Sequence, residues 1–154
     1  MTEDVLTVIR GSRPDMEEDD AGEVITPAKY YFRGGKHYVV YDRYDEDADT
    51  EHTTLKITEN QVDVIKHGSG RVHMIFSNGE KTMCRYGTPI GDLLIEIDTN
   101  LMEYSLEEDA LTLRIGYILT MNSVEIGQCY VDIQVSSKGK ARLFNDKQEG
   151  DRDE

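Results

Sequence analysis

The sequence has little of what marks most functional classes. Only two cysteines occur in 154 residues, Cys84 and Cys129. A secreted disulfide scaffold uses more, and a zinc site spaces them more closely. Both therefore read as reduced thiols, with one long-range disulfide still compatible with the count. No stretch reaches the ~18 apolar residues that a membrane-spanning helix needs. The start, "MTEDVLTVIRGS", lacks the basic residues and apolar core of a secretory signal. A soluble cytoplasmic protein is the expectation, with no membrane partner. Gly-rich phosphate loops, Gly-x-Ser-x-Gly elbows and His-Glu-x-x-His pairs are all missing. No cofactor is expected, and the balance leans away from an enzyme.

A concentrated basic patch is missing too. The formal charge is −14, and three segments carry it: residues 14–23, 42–51 and 146–154 hold 17 acids and 3 bases. The remainder holds 14 of each, so the body of the chain is neutral. Acidic loops without a basic face repel phosphate backbones, which argues against nucleic acid. The loops serve either to attract a basic partner or to keep a β-rich protein soluble. Asp45, Asp47, Asp49 and Glu51 alternate like the opening of a calcium loop. The required Gly and Glu are replaced by Thr50 and Lys56, so a solvated loop is the better reading.

What the chain does have is β-signal. Runs rich in Val, Ile, Thr and Tyr cover 4–12, 24–33, 36–44, 52–58, 61–68, 71–77 and 80–86. "GDLLIEIDTN" and "LMEYSL" read as two further strands, followed by "LTLRIGYIL" and "SVEIGQCYVDIQVSS". In the last run the apolar period slips near Tyr130, which predicts a β-bulge there. Gly34-Gly35 and Asn78-Gly79 both signal hairpins. About ten short strands without helices predict an antiparallel up-and-down β-barrel over residues 1–140. Residues 141–154 read as an acidic, disordered tail.

If Asn78-Gly79 is a two-residue hairpin, its register predicts three consequences. His73 faces Cys84, which would make a nucleophile–base pair or half a metal site. Met74 and Phe76 share a face with Lys81, Met83 and Arg85. That face, lining a barrel, would offer Lys81 and Arg85 to an anionic head group and the rest to an apolar tail. The alternative is that both cations snorkel to solvent at the strand ends.

The stretch "RYGTPIGDLLIEID" centres on Thr88-Pro89 between Gly87 and Gly91. Proline fixes φ and lacks a donor, so the segment reads as a corner between strands. Met74, Phe76, Gly79, Tyr86, Thr88, Pro89 and Gly91 together resemble the pattern of the YwiB-like family of uncharacterised bacterial proteins. The likeness extends from about residue 5 to residue 136, including "LRIGYIL" at Tyr117. It implies a calycin-like, lipocalin-related barrel in a bacterial cytoplasmic protein, and it implies no reaction.

The leading expectation is a non-enzymatic barrel for a small apolar or amphipathic anionic ligand. Its expected lining is Met74, Phe76, Met83, Tyr86 and Tyr117, with Lys81 and Arg85 as anchors. The alternative is an interaction module, monomer or homodimer, using the acidic loops or an open sheet edge. A third possibility is an enzyme built on His73 and Cys84.

Overall fold

The computed structural model describes residues 1–14, 22–43, 50–68 and 70–138. Most of both acidic loops, including Asp45, Asp47 and Asp49, and the tail 141–154 lie outside the described residues. Ten strands follow in chain order: β1 (Asp4–Ser12), β2 (Glu23–Arg33), β3 (Lys36–Arg43), β4 (Glu51–Ile57) and β5 (Gln61–His67). Then come β6 (Arg71–Ser77), β7 (Lys81–Thr88), β8 (Gly91–Leu106), β9 (Ala110–Met121) and β10 (Val124–Ser137). They form one antiparallel sheet in the order β6-β5-β4-β3-β2-β1-β10-β9-β8-β7. Sequential neighbours pair except β6 and β7, and β1 joins β10, so the meander nearly closes into a barrel. Closure hides most strand edges, which would otherwise pair with other chains.

Alternation drives the curvature. Leu111, Leu113, Ile115 and Leu119 on β9 are buried, as are Val39 on β3, Leu55 and Ile57 on β4, and Ile95 and Ile97 on β8. They form one cluster inside the barrel. The two segments expected on either side of residue 100 are a single strand, β8. Its register against β9 shifts between Thr99 and Leu101, leaving Asn100 as the extra residue of a bulge. That slip of inward parity imitates a strand end in the sequence. On β10 the slip lies between Glu125 and Gly127, not near Tyr130. From there Cys129, Val131, Ile133 and Val135 point inward in one unbroken period. Gln128 points out, and its side-chain amide pairs reciprocally with that of Asn100 at 2.8 and 3.1 Å.

The break in the barrel lies between β6 and β7, inside the hairpin read from Asn78-Gly79. The turn itself forms, with the Glu80 N–H donating to the Ser77 carbonyl at 2.9 Å. Only Gly79 has positive φ, at 79°, whereas a type I′ turn needs it at both central positions. The other pattern splays the strands it joins. Gly34 and Gly35, at 61° and 78°, have the type I′ signs, and so do Asn122 and Ser123, at 49° and 70°. Both of those turns lead into full ladders.

Side-chain burial reinforces the break. Pairing β7 with β6 in the expected register would place Lys81 and Arg85 toward the lumen, at the cost of desolvating two cations. Instead β7 pairs with β8 alone, setting Thr82 opposite Ile97 and Cys84 opposite Ile95. A one-residue change of parity moves a whole strand face. Across the gap, the Thr82 hydroxyl donates to the Ile75 carbonyl. A side chain thereby takes an acceptor that a ladder amide would have used.

Candidate functional site

The lumen contains a cavity of about 310 Å³. Its walls are mostly aliphatic, including Leu55, Val62, Ile97, Ile115, Leu119 and Ile133. Of the residues expected to line it, Met74, Phe76 and Tyr117 do. Phe76 and Tyr117 meet edge to face with ring centroids 5.0 Å apart and planes at 67°. Lys81, Met83, Arg85 and Tyr86 do not line it. All four are exposed residues of β7, which holds only its β8 register. The expected face therefore fails at β7 and holds at β6. The segment at Gly87, Thr88, Pro89 and Gly91 is the connection from β7 to β8, with Thr88 opposite Gly91 and Pro89 and Ile90 between them.

The His73–Cys84 pair does not form. His73 lies opposite Ile65 and puts Nε2 2.7 Å from the Asp63 carboxylate on the outer surface. The Cys84 side chain packs against the core, and burial pushes its thiol pKa up, the wrong direction for a nucleophile. Both cysteines are free.

Sequence reasoning missed the polar groups that the lumen does present. Tyr41, Arg13, Arg43 and Lys66 line the cavity together with Tyr117. Tyr41 on β3, Thr53 on β4 and Lys66 on β5 occupy one inward row, being successive partners in the two ladders. Alternation along β5 supplies the signal: Val62, Val64 and Lys66 share a face, so the lysine ends an inward apolar series. Burial pushes the Tyr41 phenol up, with the Thr53 hydroxyl and the Arg43 charge working in the opposite direction. The Tyr117 phenol is pushed up to about 12, chiefly by burial, with Cys129 adding to the rise and Arg13 opposing it. Both phenols are thus neutral hydrogen-bond donors near neutral pH. Among the described residues the Thr99 hydroxyl, opposite Tyr117, is buried without a hydrogen-bond partner.

The other end of the lumen is stoppered. His37 is 4% exposed, with Nδ1 2.7 Å from the Tyr30 hydroxyl and Nε2 2.9 Å from the Tyr104 hydroxyl. A neutral imidazole carries one N–H and one lone pair, so one phenol donates to the ring and the other accepts from it. Burial lowers the His37 pKa, which favours that neutral form. Along β3, His37 and Arg43 stand six residues apart, about 20 Å in an extended strand.

Among the described residues no helix is long and apolar enough to cross a membrane. No group of three or more His, Cys, Asp or Glu among them is arranged to hold a metal.

A ten-stranded antiparallel meander, open at one seam and hollow inside, defines the molecule as a small β-barrel protein with an apolar lumen. Residues 8–133 match the model of the domain of unknown function DUF1934, and the chain belongs to that family. It is 29% identical over 106 residues to the uncharacterized beta-barrel protein YwiB of Bacillus subtilis (strain 168), covering 66% of this chain and 73% of that one. The crystal structure of the ywiB protein from Bacillus subtilis superposes with a TM-score of 0.70 at 20% identity, over 88% of this chain and 92% of that one. That likeness shows the fold.

Proposed function

We propose that the protein is a non-enzymatic binding barrel for a small apolar or amphipathic anionic molecule, working in the bacterial cytoplasm. The observation that carries this reading is the lumen cavity, whose volume lies at the lower end of the range of ligand sites. A close-packed interior leaves few voids larger than a water molecule, so a hollow of about 310 Å³ bounded by aliphatic walls is a departure that needs a reason. The resemblance to lipocalin-related barrels supports the reading by analogy of fold only. The two free thiols accord with a reducing compartment. Native mass spectrometry of protein purified from its own cells, compared with a denatured sample, tests it. The reading expects a reproducible extra mass that is lost on denaturation. A bare mass, together with no uptake of added amphiphiles, would remove it.

A further inference from the structure

The polar groups around the lumen are distributed unevenly. One end is stoppered by neutral partners that satisfy one another: Tyr30, His37 and Tyr104. The cationic side chains of the lining, Arg13, Arg43 and Lys66, belong to the cavity at the other side of that stopper. Lys66 is only half exposed, and its neighbours on the inward face are Val64 along β5, Thr53 on β4 and Val72 on β6. An ammonium bordering such a surface must reach water or meet an anion. Among the described residues, neither Lys66 nor Arg43 makes an ion pair. Glu51, opposite Arg43 in the ladder, makes none with it, and the neighbouring Asp42 carboxylate is taken by His52 at 2.6 Å. Beside the two cations stands the Tyr41 phenol, a neutral donor in the same inward row as Lys66.

Resting on the binding reading above, we infer that Lys66 and Arg43 receive a single carboxylate or similar oxyanion at the open end of the lumen, assisted by the Tyr41 hydroxyl. The apolar part of the ligand runs inward against Leu55, Ile97 and Ile115 and stops short of His37. The cavity's 310 Å³ sets the length: at the ~30 Å³ that a water molecule claims in the liquid, it holds about ten heavy atoms. This is the size of a medium-chain carboxylate. A long-chain fatty acid would not fit.

Two probes of equal length separate charge from apolar fit. Octanoate and octan-1-ol are titrated calorimetrically into the wild-type protein, with hexadecanoate as the length control. Octanoate should bind about tenfold tighter than octan-1-ol or more, the factor that one charge-assisted hydrogen bond supplies. Hexadecanoate should not enter. Lys66→Met keeps the apolar stem, and Arg43→Gln changes an exposed side chain at a strand end. Each should erase most of the octanoate advantage while leaving octan-1-ol binding within about twofold, which also shows that the variant is folded. Equal affinity for both probes, or an advantage that survives both substitutions, overturns the inference and leaves the binding reading standing. Uptake of neither probe removes both.

Discussion

The imidazole of His37 on β3 hydrogen-bonds the phenol of Tyr104 on β8 across the inside of the barrel, at 2.9 Å. Those two strands are five places apart in either direction around the ring, so the bond spans the barrel instead of following its wall. Its energetic weight comes from burial. A net hydrogen bond contributes about 1 kcal/mol, but leaving a buried partner unsatisfied costs about 1–3 kcal/mol. His37→Leu strands two phenols at once and should destabilise the fold by about 2–4 kcal/mol, read from the urea midpoint.

The same contact gives a pH dependence of definite sign. Burial lowers the folded-state pKa of His37 below its ordinary value. The unfolded chain therefore binds the proton more readily, and stability rises with pH through the interval between the two pKa values. His37 contributes fully above about pH 6.5, and its contribution is lost as pH falls from there toward the folded pKa. Unfolding midpoints measured between pH 7.5 and 5 should decline more steeply for the wild type than for His37→Gln, which has no titrating ring. Parallel slopes would show that the imidazole is not held in its neutral form.

Much of the barrel was legible in the sequence because alternation is a local signal. The β-runs, the Gly34-Gly35 hairpin and the inward face of β9 all follow from residue types two apart. The errors have one physical source. Register is set between strands, and a bulge or a turn of the wrong hand changes it invisibly. Asn78-Gly79 carries a hairpin signal and does form a turn, yet the φ pattern there and the burial preference of Thr82 over Lys81 separate β6 from β7. That one-residue difference carried Lys81, Met83 and Arg85 out of the candidate site, whereas Tyr86 shares the face of Thr82 and Cys84 and is left out because it is exposed near the end of β7. Lys66 went unnoticed because a lysine in an exposed-looking strand gives no sign of its direction until its neighbours on the same face are counted.

The seam between β6 and β7 should be the weakest part of the wall. Its described cross-strand bond beyond the turn is the Thr82 hydroxyl on the Ile75 carbonyl. Thr82→Val preserves the shape and removes the donor, which should cost about 1 kcal/mol. Hydrogen exchange should accelerate selectively in β6 and β7, with β9 and β10 unchanged. Uniform acceleration would mean that the seam does not open independently.

Gly116 makes room for the amide pair on the outer wall. A Cβ there would lie 3.0 Å from the Leu101 Cβ, 3.1 Å from the Gln128 amide nitrogen and 3.2 Å from the Asn100 side-chain oxygen. Gly116→Ala should destabilise by about 1–3 kcal/mol through overpacking. Shortening the neighbour in Gly116→Ala/Gln128→Ala should recover part of that loss, giving a measurable coupling energy. Gly11→Ala, where a Cβ meets nothing within 4 Å, should be tolerated.

The central claim is that the lumen takes up a ligand, and methyl NMR with octanoate as the probe tests it most directly. A hollow of about 350 Å³ on the outer surface, lined by Tyr31, Arg33, Tyr38 and Val40, supplies the competing location. Saturable shifts and ligand contacts are expected at Leu55, Ile97, Ile115 and Leu119, with Val40 unmoved. Contacts confined to Val40 and the outer face, or shifts that never saturate, would contradict it.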